Sequence, residues 1–481
     1  MGILALAAIV LLGLGLRVGY AWDGRAPVYD AQAYAAIAAN LDRGEGFTVG
    51  PDATQPSSNY SPGLPLFVAG LYEATGGVDE RLARVVLAVL AALAVPFTYL
   101  LARRLAAALG SLRPPGALRV GSRSGAAGGA GESRAPASGA VVAALLAALA
   151  VAVYPAFLEY GGMLMSEPLA ATLLSGAVLA MFWARDGASP WRWLLPGGLL
   201  GALTLTRPEY LAVSVLLAIA ASLPVRRSSS AERGAGARGE RWARWRPGVA
   251  RGLVTLAGLA VVVAPWTVRN LVALERVVPV STGGGQVLYA GTYLPSDGNP
   301  EAVGAEVVAE HPELFAPDAV RRLRLEQILA RLAAHAYPGM ETDQALSRMG
   351  RQQLGDDITE EPLEYAGFLA RKVGRIWSHG PRDVMREPAW EALHWALLAF
   401  GLLGLAVLLW RRRWQALVIA VVFLAITAIS ALLVASPRRV LVMLPLLAAC
   451  AGVGGIWLRA QIWKVGPRVA QKRSPYSPAS T

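Results

Sequence analysis

Long apolar segments constrain this chain more than any other feature of its sequence. Ten of them approach the ~20 residues that a helix needs to cross a hydrocarbon core. Hydrophobic residues make up 55% of the chain and charged residues only 16%, whereas soluble proteins are about 25% charged. The sequence therefore predicts an all-α polytopic membrane protein, with spans at 2–21, 81–102, 139–157, 164–184, 191–206, 208–224, 250–269, 391–410, 414–434 and 437–458.

Basic residues predict how these spans are oriented. Arginines outnumber acids in the linkers 103–138 and 225–249, they fill the turn 411–413, and the tail 461–481 is also basic. With ten spans and both termini in the cytoplasm, all of these clusters lie inside, as the positive-inside rule requires. The formal charge of +12 is explained in this way and does not indicate nucleic-acid binding. The first segment lacks a basic start and is longer than a signal-peptide core, so we expect an uncleaved anchor.

The segments between the spans suggest separate parts. Both linkers are rich in Gly, Ala, Ser and Arg, which is typical of disorder. The apolar run 63–75 is too short to span and predicts an interfacial or re-entrant helix on the outer face. Helical patterns at 302–310, 316–336 and 364–377 predict a small helical domain outside the cytoplasm. The expected parts are a transmembrane module 1–269, an extracytoplasmic loop domain 270–390, transmembrane helices 391–460 and a disordered cytoplasmic tail 461–481.

Some site chemistries are excluded by composition. Cys450 is the only cysteine, so the chain has neither an intrachain disulfide nor a multi-thiolate metal site. None of the four histidines pairs with another at HxxH or HExxH spacing.

Two carboxylates stand out at predicted outer ends of spans. Asp30 precedes a short helical pattern at 31–40, where it is either a helix cap or a functional acid. Glu167 lies between Ser166 and Pro168, and this Ser-Glu-Pro sequence is a typical helix start. Glu167 would nevertheless emerge on the same face as Asp30. Side chains near Asp30 would contact a substrate held there, and the turn at 59–66 is either a structural hinge or a second such contact. The candidate contact residues are Tyr29, Gln32, Tyr34, Tyr60 and Pro62.

Arginines at outer ends of spans run against the general pattern. Each could simply reach to the lipid headgroups. Together they suit a bidentate grip on the phosphate of a lipid, because a guanidinium pairs with two phosphate oxygens at once. The set is Arg17, Arg207, Arg269, Arg438 and Arg439.

These motifs occur in an order that resembles GT-C-fold membrane glycosyltransferases. The similar families are the bacterial relatives of the dolichyl-phosphate-mannose protein mannosyltransferases (glycosyltransferase family 39) and the lipid A aminoarabinose and galacturonosyl transferases. The resemblance covers residues 1–460. It rests on Tyr29-Asp30-Ala31-Gln32-Ala33-Tyr34, Ser61-Pro62-Gly63-Leu64-Pro65-Leu66, Met165-Ser166-Glu167, Thr206-Arg207-Pro208, Pro265-Trp266-Thr267-Val268-Arg269-Asn270 and the arginine pair before Pro445.

The resemblance implies an inverting glycosyltransferase of a bacterial plasma membrane. It would move a hexose or pentose from a polyprenyl-phosphate donor to an acceptor outside the cytoplasm: a lipid, an envelope glycan or a protein. The required first-loop acid of these families carries over to Asp30, with Glu167 as a second catalytic residue and Arg207, Arg269, Arg438 and Arg439 as donor-phosphate ligands. Many relatives have a second acid or a lysine where this chain has Ala31 and Ser61, which leaves a divalent cation open. The alternative function is a transporter or flippase of a lipid-linked substrate.

Reporter fusions test the predicted topology. A reporter that works only in the cytoplasm should be active when it is joined near Gly239. A reporter that works only after export should be active when it is joined near Asp318. A cytoplasmic signal at Asp318 would contradict both the topology and an outer active site.

Overall fold

The computed structural model describes residues 2–23, 30–49, 57–110, 135–223, 239–299, 301–378 and 380–471. Helices make up the described architecture, and no β-strand occurs in these ranges. The α-helices are α1 (Gly2–Trp22), α2 (Asp30–Asp42), α3 (Gly63–Thr75), α4 (Glu80–Ala92), α5 (Ala94–Gly110), α6 (Ala135–Val153), α7 (Pro155–Gly161), α8 (Ser166–Arg185), α9 (Leu194–Thr206), α10 (Tyr210–Ser222), α11 (Gly239–Leu274), α12 (Gly284–Thr292), α13 (Val303–Glu310), α14 (Ala319–Arg322), α15 (Leu325–Ala336), α16 (Thr342–Glu360), α17 (Pro362–Ser378), α18 (Pro388–Trp410), α19 (Trp414–Leu432) and α20 (Arg438–Gln471).

The polytopic all-α prediction is confirmed, but fewer helices than expected are long enough to span. Within the described ranges, 7 helices qualify by length and apolar composition, or up to 8 if α6 and α7, bent by 52° at Tyr154, count as one span. The predicted spans 191–206 and 208–224 correspond to α9 and α10, which have 13 residues each. At 1.5 Å per residue such helices reach only about 20 Å. A 3₁₀ turn at Pro190–Trp193 and the break at Arg207–Glu209 shorten them.

Helices also extend into the segments predicted to be disordered. α5 continues to Gly110, α6 begins at Ala135, α11 begins at Gly239 and α20 continues to Gln471. Alanine and arginine are strong helix formers, so the adjoining spans continue through them. The rest of the predicted linkers and tail, at 111–134, 225–238 and 472–481, lies outside the described residues.

The short helices near the predicted site follow the sequence pattern. α2 covers the predicted helix 31–40, and α3 has the predicted bounds 63–75. α2 and α3 pack on each other, and α3 also contacts α9, which ends just before Arg207. This packing brings Asp30, at the start of α2, towards the break between α9 and α10.

The helices of the predicted loop domain are α12 to α17. Those from α12 to α16 share an apolar cluster, whereas α17 packs mainly on α19. The patterns at 302–310 and 364–377 are confirmed as α13 and α17, whereas 316–336 is divided into α14 and α15. α16 was missed because its 19 residues are polar on most sides, and only Ala345, Leu346 and Gly350 are buried.

Glycines allow α18 and α20 to pack closely. A Cβ on Gly454 would overlap the carbonyl oxygen of Phe400, and a Cβ on Gly404 would overlap that of Cys450. Small residues at such crossings let two membrane helices bring their backbones together. This contact fixes α20, whose first residue is Arg438.

Gly454→Ala should therefore destabilise the protein. The added methyl group must push α18 away, and overpacking of this kind costs about 1–3 kcal/mol. Gly455→Ala is the matched control, since its Cβ would have no neighbour within 4 Å. Labelling of the buried Cys450 by a thiol-reactive dye during heating reports unfolding directly. Equal midpoints for the two variants would contradict the close packing.

Candidate functional site

Asp30 lies at the first turn of α2 and faces the start of α20. Its Oδ2 accepts a hydrogen bond from Nη1 of Arg438 at 3.2 Å. The two side chains are 43% and 36% exposed, so the pair lies at an accessible surface. Asp30 therefore contacts a distant charged residue and is more than a local helix cap.

Glu167 lies in the first turn of α8 and is only 1% exposed. Its Oε1 is 3.0 Å from Nη1 of Arg207 and 3.8 Å from Nη1 of Arg438. Nη1 of Arg438 thus lies between the carboxylates of Asp30 and Glu167. The structure brings together both predicted carboxylates, although they are more than 130 residues apart in the chain.

Arg207 is held by two carboxylates. Besides Glu167, it pairs with Oε1 of Glu209 at 2.8 Å, and its Nη1 also donates to Oγ of Ser166 at 3.1 Å. All three charged side chains are largely buried. Guanidinium donors that are occupied in this way are not available for a bidentate grip on phosphate.

Glu209 is a member of this cluster that the sequence reading missed. It follows Arg207 and Pro208 at the break between α9 and α10, where an acid resembles an ordinary helix start. A carboxylate two residues after an arginine, between two apolar segments, was the available signal. We refer to Asp30, Glu167, Arg207, Glu209 and Arg438 as the charged cluster.

The remaining predicted arginines lie in other surroundings. Arg439 is buried, and its Nη1 donates to Oγ of Ser430 near the end of α19, at 2.8 Å. Arg17 is fully buried and donates to the carbonyl oxygens of Val151 and Ala152. Neither side chain reaches out to lipid headgroups.

Arg269 stabilises the first loop. It donates to the carbonyl oxygen of Ser57 at 2.9 Å and to Oγ of Ser58 at 3.2 Å, and it lies over the ring of Trp266. No ion pair joins Arg269 to any carboxylate that the structure describes. It is therefore not joined to the charged cluster.

The predicted contact residues differ in accessibility. Tyr34 is buried against Tyr60, with ring centroids 5.9 Å apart, and burial together with the charge of Asp30 raises its pKa. Tyr60 reaches the loop domain through its hydroxyl, 3.5 Å from Oε1 of Glu326, and burial and Glu326 raise its pKa to about 12. Gln32 is exposed on α2.

The last two predicted contact residues are Pro62 and Tyr29. Pro62 is buried at the start of α3, which fits its reading as a hinge. Tyr29 lies outside the described residues.

The guanidinium of Arg438 lies between the two catalytic candidates. Asp30 and Glu167 are both directed at the guanidinium of Arg438, which already supplies the positive charge there. No group of three or more His, Cys, Asp or Glu side chains able to hold a metal occurs in the described ranges.

Lys372 joins the loop domain to the membrane helices beside Arg439. Its buried amine donates to the carbonyl oxygens of Gly291 and Leu433, both at 2.5 Å. Burial, together with the charges of Arg439 and Arg375, lowers the pKa of Lys372 to about 7. No sequence pattern could indicate this contact, because both acceptors are backbone groups.

Substitutions of Arg207 and Arg438 should have different effects on stability. Arg207→Met leaves two buried carboxylates without their shared partner, and breaking a buried pair costs about 3–5 kcal/mol. Arg438→Met leaves the buried Glu167 paired with Arg207 and removes the partner of an accessible Asp30, so it should cost under about 1 kcal/mol, as for surface pairs. Dye labelling of Cys450 during heating measures the unfolding midpoint of each variant. If Arg438→Met were the less stable variant, the division between buried and accessible pairs would be wrong.

Comparison with solved structures identifies the fold. The oligosaccharyltransferase of Archaeoglobus fulgidus, in its apo form, superposes with a TM-score of 0.50 at 13% identity, over 99% of this chain and 53% of that one. ArnT from Cupriavidus metallidurans bound to undecaprenyl phosphate gives a TM-score of 0.39 at 14% identity, over 98% of this chain and 81% of that one. No family model and no curated protein matches the sequence. The chain spans about half the length of the archaeal enzyme and has the GT-C fold that its sequence predicted.

Proposed function

We propose that this protein is an integral membrane glycosyltransferase that uses a polyprenyl-phosphate sugar donor and an acceptor outside the cytoplasm. The observation that carries the proposal is the accessible Asp30–Arg438 pair beside buried, already paired charges. It offers one carboxylate and one guanidinium to a substrate at the same place. Glycosyl transfer from a phosphate donor needs both a base for the acceptor and a cation for the leaving group.

In this mechanism Asp30 removes the proton from an acceptor hydroxyl. The hydroxyl oxygen attacks the anomeric carbon of the sugar from the side opposite the phosphate. A glycosidic C–O bond forms while the C–O bond to the phosphate breaks, and its electron pair leaves with the phosphate. Inversion at the anomeric carbon follows from this single displacement, and Arg438 stabilises the charge that develops on the leaving phosphate.

Glu167 is suited to orient the sugar or the acceptor. Its Oε1 is held by Arg207, whereas its Oε2 is buried and accepts no hydrogen bond from the described residues. A buried carboxylate oxygen without a donor is costly, so a substrate hydroxyl would be a favourable partner. Arg207 then acts as a positioning residue for Glu167, in place of the phosphate-binding role expected from the sequence.

The other arginines receive different roles in this proposal. Arg438 is the principal ligand of the donor phosphate, because it is the accessible guanidinium of the charged cluster. Arg439 lies next to it in the chain and adds positive charge near Glu209. Arg269 acts at a distance, by holding the first loop at Ser57 and Ser58.

Asp30→Asn distinguishes a catalytic acid from a helix cap. Asparagine caps a helix about as well as aspartate, so a capping role would cost only a few tenths of a kcal/mol. Asparagine cannot take a proton, and loss of a general base typically lowers the rate by ~10²–10⁴. The measurement is release of polyprenyl phosphate from labelled undecaprenyl-phosphate mannose, glucose, galactose and arabinose by purified protein with envelope glycan as acceptor.

Asp23→Asn and Asp42→Asn are the matched controls. Asp23 follows α1 and Asp42 ends α2, and neither belongs to the charged cluster. We expect full transfer by both controls and almost none by Asp30→Asn. Transfer by Asp30→Asn at more than about a tenth of the wild-type rate would contradict this mechanism, because it lies outside the general-base range. Movement of intact donor lipid across vesicles without any sugar transfer would instead favour the transporter or flippase.

A further inference from the structure

The segment 433–437 carries the chain from the end of α19 to Arg438, and we refer to it as the connecting segment. Ala435 is almost fully buried and packs in an apolar cluster with Ile376 of α17. Oγ of Ser436 accepts a hydrogen bond from Nε of Arg438 at 3.4 Å. The position of the Arg438 guanidinium, between the two catalytic candidates, therefore depends on how this segment is held.

Lys372 of α17 contacts the first residue of the connecting segment. Its side chain is fully buried, and its amine donates to the carbonyl oxygens of Leu433 and Gly291, both at 2.5 Å. The same amine lies 4.9 Å from the ring centroid of Phe368. Within the described ranges no carboxylate forms an ion pair with it. One amine thus joins α12 and α17 of the loop domain to the connecting segment.

Two glycines allow the backbone to close tightly around this amine. A Cβ on Gly291 would lie 2.3 Å from the carbonyl carbon of Leu433, so α12 touches the connecting segment directly. A Cβ on Gly298 would lie 2.5 Å from Cγ of Lys372, so the turn at Gly298 covers the lysine stem. Carbon atoms in normal contact are about 3.5–4.0 Å apart. Any shift of the connecting segment away from α12 therefore separates it from the amine as well.

The charges around Lys372 leave its ammonium without an anionic partner. Asp297 is engaged by two arginines of α17, and neither α12 nor α19 contains a charged residue. Burial and the charges of Arg439 and Arg375 hold the pKa of Lys372 at about 7. The charged groups on the surrounding elements are Arg371 and Arg375 of α17, Asp297, Arg439 of α20 and Asp357 of α16, whose charge acts on Tyr365 earlier in α17.

We propose that Lys372 is a positioning residue, which fixes Arg438 by holding the connecting segment against the loop domain. The inference rests on the proposed function only for what Arg438 binds. Release of the segment returns the amine to water, where its pKa is about 10, so that release takes up a proton. Between about pH 7 and about pH 10 the segment is therefore released more easily as the pH falls.

Hydrogen–deuterium exchange of full-length protein in lipid nanodiscs tests this contact without any substrate. The reporting amides are those of Arg439 and Val440, which bond back to the connecting segment. At about pH 8.5 the amine is neutral, so Lys372→Met removes two hydrogen bonds without relieving a buried charge. Exchange should rise about tenfold, because two such bonds are together worth roughly that factor in an opening equilibrium. Unchanged exchange would overturn the proposal.

Arg371→Met is the matched control, since it removes the neighbouring exposed cation of α17 and should exchange as wild type does. The pH dependence separates the amine from a merely structural contact. As the pH falls from about 8.5 to about 6.5, the ratio of exchange in wild type to that in Lys372→Met should rise at least about tenfold, because only the wild type takes up a proton on opening. A ratio that stays constant over this range would contradict the role of the amine.

Gly291→Ala guards against misfolding of Lys372→Met. Its methyl group must push the connecting segment by about 1 Å to reach a normal contact distance. Misplacement of that size lowers the rate of a reaction by up to about 10²-fold, so sugar transfer should fall steeply. Gly284→Ala, in the same helix but with open space around its Cβ, should transfer sugar as wild type does.

Equal transfer by the two alanine variants would overturn the positioning of Arg438 through this segment. The exchange measurements need neither donor nor acceptor. If the wild-type protein transferred no sugar, the proposed function would fail, whereas exchange in Lys372→Met would still decide whether the amine holds the segment.

Discussion

The buried ion group of Glu167, Arg207 and Glu209 is the constraint on which the site depends. A charge taken out of water is tolerated only if it is closely paired. This pairing ties the start of α8 to the break between α9 and α10. Arg438 approaches the same Glu167 oxygen, so the start of α20 has to lie against that group. The accessible Asp30 then pairs with a guanidinium whose position is already determined.

The sequence was most informative where structure is local. The bounds of α3 and the position of α2 follow from apolar spacing and helix propensity, and both were predicted closely. The lengths of α9 and α10 were overestimated, because apolar composition does not show where a helix breaks. Glu209 and Lys372 were missed for a different reason. Their roles come from partners brought near by tertiary packing, and no spacing within one segment reports those partners.

The arginines show how the surroundings of a side chain determine what it can do. Arg207, Arg269 and Arg438 all lie at ends of helices and looked equivalent in the sequence. In the structure Arg207 is neutralised by two acids, Arg269 is used by backbone groups of the first loop, and Arg438 remains accessible. Under the proposed function only the last of these could exchange its present partner for a substrate without leaving a buried charge unpaired.

The sharing of Arg438 between two partners has a kinetic consequence. While its guanidinium holds Asp30, one carboxylate oxygen is engaged in the ion pair. A donor phosphate that binds Arg438 would displace Asp30 and leave it able to accept a proton. Under the proposed function, the donor would therefore bind first and the acceptor second. Without a donor, Asp30 and Arg438 would remain joined by their own ion pair.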